Sequence, residues 1–176
     1  MKAAKKLQQK YPSLIIYVLS CRKVFDDKFQ KALEKNELKG KVVSQKDIEE
    51  LKTYIYSLTK IALCKSGTVN MELALYGIPQ IVGYKVSRVT AFIAKKILNF
   101  KVRYISPVNL LVKKQVIPEF VQKEFDVEKI YKKACRIMER KSEKVKILKG
   151  YDLLKKELGE KGVVKRAAEE IINSLV

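Results

Sequence analysis

The chain has 176 residues, with 38 Lys and Arg against 19 Asp and Glu, for a formal charge of +19. That length accommodates one domain with a substantial core, and the charge favours anionic partners: phosphates, nucleic acid or an acidic membrane surface. There is no His, which rules out a Ser-His-Asp triad and His-based metal sites.

The basic residues are spread along every predicted helix rather than blocked, a pattern that also suits a merely solvated surface. Cys21, Cys64 and Cys135 are too widely spaced for a metal or redox motif and suggest no disulfide framework, so a reducing interior is expected. The Lys-rich opening lacks the apolar stretch of a secretory signal, and no apolar run is long enough to span a bilayer.

In chain order, residues 1–10 predict a helix with Ala3, Ala4 and Leu7 on one side, stopped by Pro12. Residues 14–19 are almost wholly apolar and predict a strand buried on both faces, as in a parallel sheet. Phe25, Phe29 and Leu33 follow helical spacing, Gly40 precedes a short strand at 41–43, and Ser44 can cap a helix carrying Ile48, Leu51, Ile55 and Leu58.

Residues 60–84, KIALCKSGTVNMELALYGIPQIVGY, read as strand, tight turn, helix and strand. Met71, Leu73, Ala74 and Leu75 supply the helix's expected buried side, Gly77 its left-handed end, and Pro79 prevents its resumption. The turn Ser66-Gly67-Thr68 has two readings. It is an ordinary helix cap, or it is an anion site in which main-chain N–H groups and flanking hydroxyls meet a phosphate that Gly67 lets approach closely. With Thr68 as N-cap, Glu72 falls one position too late for a capping box. Its carboxylate can accept hydrogen bonds from a ligand's hydroxyls or stand in solvent.

Beyond Tyr84, Ser87 is a candidate cap for a helix in which Val89, Phe92, Ile93, Ala94, Ile97 and Leu98 form a broad apolar surface among Lys95, Lys96, Lys101 and Arg103. It reads either as a core helix or as a basic amphipathic helix resting on a membrane or partner. A short strand is expected at 102–105, then irregular loops opening at Pro107 and at Pro118, and helices at 127–139, 143–158 and 163–175. The alternation of strand and helix predicts an α/β fold: a Rossmann-like doubly wound parallel sheet with a C-terminal helical tail.

Three segments, KSGTVNMELALYGIPQIVGYKVS, YISPVNLL and VIPEFVQ, resemble the lipid-A-disaccharide synthase family in order and spacing, and a weaker likeness from KKLQQKYPSLIIYV to the tail covers nearly the whole chain. That family comprises glycosyltransferases of the two-domain GT-B type. The resemblance implies that this chain is the half that binds the sugar nucleotide, with residues 1–125 as the Rossmann-like domain and 126–176 as a helical extension packed on it. The implied donor is UDP-2,3-diacylglucosamine and the implied acceptor a lipid monosaccharide phosphate, with UDP released and no metal or other cofactor. Ser66, Gly67 and Thr68 would face the diphosphate, Glu72 the ribose, and Asn109 and Gln122 would line the same cleft. No catalytic residue is assigned.

The family enzyme is about twice this length, and its acceptor-binding domain with the proposed base has no counterpart here. The first strand of the family's donor half, central in a doubly wound sheet, has none either. Two outcomes are therefore expected: the chain is the C-terminal part of a longer or split protein, its other half on another chain, or the strand at 14–19 pairs directly with the one at 61–64. The expected location is peripheral, at the cytoplasmic face of an anionic inner or equivalent organelle membrane. A non-catalytic remnant serving as a membrane-surface or subunit-interaction domain is the alternative. A nucleic-acid-binding module is disfavoured, because no helix-turn-helix, RNP or zinc pattern is present.

Overall fold

The computed structural model describes residues 1–85, 103–160 and 162–174. The expected helix at 87–100 therefore lies outside the described residues. The first half alternates strand and helix: α1 (Lys2–Lys10), β1 (Ile16–Leu19), α2 (Asp26–Lys35), β2 (Gly40–Val43), α3 (Gln45–Leu58), β3 (Ala62–Cys64), α4 (Val69–Leu75) and β4 (Gln80–Tyr84). After the undescribed interval come α5 (Pro107–Val112), β5 (Glu119–Val121), α6 (Val127–Glu139), α7 (Lys141–Leu158) and α8 (Val163–Asn173). All strand pairs are parallel, and the α/β architecture is Rossmann-like with a helical tail.

The strands form two separate sheets among the described residues, β1-β2 and β3-β4-β5. Direct pairing of the strand at 14–19 with the one at 61–64 does not occur. Nor is β1 buried on both faces as its composition suggested: Ile15 is 49% and Tyr17 38% exposed, because β1 has a strand on one side only. In contrast β4, flanked on both sides, buries Ile81 and Val82 completely.

Local chemistry explains most element ends. Gly77 takes φ +70° and closes α4, whose buried face is Asn70, Leu73 and Ala74. Leu75, expected inside, is exposed. Pro107 begins a helix rather than a loop. Proline suits the first helical position, where no N–H is needed, and the Ser106 side chain accepts the Asn109 N–H as a cap. The described residues 103–105 form no strand, and Pro118 leads directly into β5.

The main core joins Leu7 of α1, Ile81 and Val82 of β4, Val108 of α5, Ile130, Ala134 and Ile137 of α6, and Ile147, Tyr151 and Leu154 of α7. The tail helices α6 and α7 thus supply much of the surface that buries the sheet. By contrast, α8 has no buried residue.

Candidate functional site

In parallel sheets, ligands gather beyond the carboxyl ends of the strands. At that end of the three-stranded sheet, β3 delivers Ser66-Gly67-Thr68 and β5 delivers Gln122. Two strand spacings, roughly 10 Å, separate the strands that carry them. The loop at 103–106 crosses between them. Ser66 Oγ donates to the Ile105 carbonyl at 2.5 Å, and the Ile105 and Ser106 amides donate to Glu119 of β5 at 2.9 and 3.0 Å.

The Ser-Gly-Thr corner is open. Thr68 is exposed, and a Cβ built on Gly67 would meet nothing within 4 Å. Its amides are not equivalent. Gly67 N–H donates to Asn70 Oδ1 at 2.9 Å, whereas those of Thr68 and Val69 have no acceptor among the described residues. Thr68 is the N-cap of α4, but its side chain makes no capping bond. The corner is held from beneath instead, by Asn70.

Asn70 is fully buried and donates to Gln80 Oε1 at 3.0 Å and to the Lys65 carbonyl at 3.3 Å. Gln80, also fully buried, returns a bond to the Asn70 carbonyl at 2.9 Å and donates to the Tyr151 hydroxyl at 3.1 Å. Tyr151 in turn donates to the Ile78 carbonyl at 2.8 Å. Such polar groups are tolerated inside because each finds a partner. The chain of bonds runs from α7 through β4 to the corner. Burial raises the Tyr151 phenol and pushes the neighbouring Cys64 thiol up to about 12. Sequence reading passed over Asn70 and Gln80; the available signal was a polar residue on the same helical face as Leu73 and Ala74.

Glu72 is partly buried between α3 and α4. Its carboxylate pairs with Lys52 Nζ at 2.5 Å and accepts the Tyr56 hydroxyl at 3.4 Å. The Lys52 ammonium is raised chiefly by its hydrogen bond to Glu72, and the Tyr56 phenol is raised by burial first and then by the Glu72 charge. Asn109 makes no hydrogen bond to the corner residues, and meets them only through Glu119 and the Ile105 main chain. Fully buried, it donates to the Ile117 carbonyl at 2.8 Å and Glu119 at 2.7 Å, and it accepts from the Val116 and Ile117 amides at 2.7 and 2.9 Å. All four of its side-chain bonds are spent inside the protein, so it braces the loop before β5 and presents nothing to a cleft. Gln122 is half-buried at φ 50°, a left-handed conformation unusual for a residue with a side chain.

Lys65, next to the corner in sequence, carries its ammonium over the Tyr84 ring, 5.5 Å from the ring centre. Two hollows elsewhere, of about 290 Å³ beside Lys5 and Glu37 and about 440 Å³ beside Asp26 and Ser44, involve none of these residues. Among the described residues, no group of His, Cys, Asp or Glu could hold a metal ion, and no helix is long and apolar enough to cross a membrane.

A family model described as lipid-A-disaccharide synthetase matches residues 1–173. The chain belongs to that family. Its similarity to curated lipid-A-disaccharide synthases is 45% identity to the protein of Prochlorococcus marinus, over 98% of this chain and 44% of that one. It is 34% identical to the protein of Gloeothece citriformis over 97% of this chain and 43% of that one, and 30% to that of Synechocystis over 97% and 42%. The chain thus spans less than half the length of these lipid-A-disaccharide synthase relatives.

Proposed function

We propose that this chain is the sugar-nucleotide-binding half of a lipid A glycosyltransferase, which transfers 2,3-diacylglucosamine from UDP to a lipid monosaccharide phosphate. The observation that carries the reading is the open Ser66–Thr68 corner at the carboxyl edge of a parallel sheet, in a chain of this family. The free amides of Thr68 and Val69 would receive the diphosphate. Fixed N–H donors aimed at a leaving diphosphate stabilise the charge that develops as the glycosidic bond breaks. Ser66 and Gly67 shape the corner from within, because their own donors are committed to Ile105 and Asn70.

Glu72 is assigned to the ribose hydroxyls, with Lys52 and Tyr56 holding its carboxylate in place. Gln122 is assigned to the opposite wall, its strained backbone turning the side chain at the end of β5. Asn109 is assigned a bracing role only. Acceptor binding and removal of the acceptor proton fall to the part of the family's length that this chain does not cover, so the chain alone should transfer little sugar. A peripheral position on the cytoplasmic face of an anionic membrane suits the charge of +19, since each Lys or Arg near such a surface adds about 1 kcal/mol of attraction.

Calorimetric titration of UDP into the chain tests the site. Binding should weaken on the order of tenfold in Glu72→Ala, the loss of one charge-assisted hydrogen bond of about 1.5 kcal/mol. Gln122→Gly should weaken it too, glycine keeping the backbone turn because it accepts φ 50° freely. Equal heats from all three proteins would remove both residues from the site.

A further inference from the structure

We infer that Gln80 and, through it, Tyr151 are positioning residues for the Ser66–Thr68 corner. By fixing which way the Asn70 amide points, they hold the Gly67 N–H inward and leave the Thr68 and Val69 amides as the pair that meets a diphosphate. The inference rests on the sugar-nucleotide reading above and adds a control that begins in the tail helix α7. Asn70 and Gln80 are 0% exposed and Tyr151 1%, so each must find its partners within the protein.

The direction is set by main-chain groups that have no choice, since a carbonyl only accepts and an N–H only donates. The Ile78 carbonyl takes the single Tyr151 hydroxyl proton at 2.8 Å, so the phenol oxygen can only accept from Gln80. Gln80 Nε2 spends its two protons on that oxygen at 3.1 Å and on the Asn70 carbonyl at 2.9 Å. Its Oε1 is thereby turned toward Asn70 Nδ2, 3.0 Å away. Asn70 Nδ2 also reaches the Lys65 carbonyl at 3.3 Å, and Oδ1 is the atom left for the Gly67 N–H at 2.9 Å. With the Gln80 amide turned over, Oε1 would face the Asn70 carbonyl, acceptor against acceptor. With Asn70 turned over, Nδ2 would face the Gly67 N–H, donor against donor.

Gly67 needs such an anchor. Glycine has the freest backbone of any residue, and a Cβ there would meet nothing within 4 Å, so side-chain packing does not restrain it. Held by Asn70, it gives the next two amides a preset direction. Donors fixed in advance need no reorganisation when a charged ligand arrives. The Asn70 bond to Gln80 is shorter than its bond to Lys65, which makes Gln80 the stronger hold on its orientation.

The test is residue-resolved amide exchange and UDP titration on the same labelled chain, with melting temperatures alongside. Val82, whose N–H donates to the Pro118 carbonyl at 2.9 Å, serves as the reference for opening of the whole sheet. Gln80→Met takes the acceptor from Asn70 Nδ2. Gly67 exchange relative to Val82 should rise about tenfold and UDP affinity fall about tenfold, the weight of one buried hydrogen bond. Gln80→Glu keeps an acceptor oxygen toward Asn70 but loses both Nε2 donors, so it should melt lower than the parent yet keep Gly67 protection and UDP affinity near the parent's. Tyr151→Phe removes only a hydroxyl and should shift both readings in the Gln80→Met direction by about threefold; it carries the test should Gln80→Glu fail to fold. The inference alone is overturned if the parent binds UDP but Gly67 exchange relative to Val82 is unchanged in Gln80→Met or Tyr151→Phe. It is equally overturned if UDP affinity follows melting temperature across the variants instead of Gly67 protection. A parent that binds no UDP overturns the site reading, and the positioning role with it.

Discussion

Asn70 Oδ1 accepts the Gly67 N–H at 2.9 Å, so the corner before α4 is shaped by a side chain buried inside that helix. Replacing it should therefore damage stability and UDP binding together. Asn70→Ala takes the amide donor from the Lys65 carbonyl and leaves Gln80 Oε1 only the weak Cys64 thiol at 3.6 Å, and should cost about 2 kcal/mol by chemical denaturation. Asn70→Asp keeps an acceptor for Gly67 but sets a carboxylate oxygen against Gln80 Oε1, and should cost more than alanine. An aspartate variant milder than the alanine one would show that the acceptor, not the donor, holds the network.

Gly150 lets α7 lie against Val116. A Cβ there would fall 2.3 Å from Val116 Cγ1 and 2.9 Å from Cγ2. Alanine gains about 1 kcal/mol of helix propensity, but overpacking costs about 1–3 kcal/mol, and Val116 is 9% exposed beside a fully buried Ile117. The clash should win, so Gly150→Ala lowers the denaturant midpoint and adding Val116→Ala recovers part of the loss. A more stable Gly150→Ala would mean that this contact relaxes at little cost.

Acid should loosen the seam between α1 and the tail. Glu139 is held below its ordinary 4.5 by hydrogen bonds from Lys10 and then Tyr11, the latter at 2.5 Å. Glu143 is lowered chiefly by Lys133, with Arg136 adding to it. A carboxyl lowered by folding stabilises fully above its unfolded pKa, and that share is lost as pH falls through its folded value. Urea midpoints should hold steady from pH 7 to about 5 and then fall. Glu139→Gln should be less stable than the parent at pH 7 and approach it at the acid end; a constant gap across the range would contradict the assignment.

Thiol labelling at mild alkaline pH should sort the cysteines by surroundings. Cys21 is exposed and Cys135 buried, while the Cys64 thiol is pushed up to about 12 by burial and so carries little reactive thiolate. Cys21 should react first and Cys64 only on unfolding. Matching rates for the two would indicate that β3 opens in the folded protein.

What could be read from the sequence followed local rules. Gln80–Tyr84 and Val127–Glu139 stand where their patterns put them, because a dense apolar strand and a strong helical period each satisfy a local and a tertiary demand together. Pro107 misled because the same residue opens loops and first helical turns, and the Ser106 side chain decides between them. The corner at Ser66–Thr68 was recognisable from its residue types, but its support was not. Asn70, Gln80 and Tyr151 are up to 81 positions apart in the chain and share no spacing that a linear reading could catch. Asn109 looked like a loop residue facing ligand, whereas its four bonds point inward.

Among the described residues β1, β2, β3 and β5 each have one unpaired border, and such borders invite sticking between copies, which native sheets usually guard against. Here the guard is collective: at +19, neighbouring copies repel one another before their borders can meet. Salt shortens the reach of that repulsion, to about 10 Å at 0.1 M and about 3 Å at 1 M. The chain in isolation should therefore stay dispersed in dilute buffer and cloud as salt is added, a colloidal habit opposite to that of proteins held together by their charges.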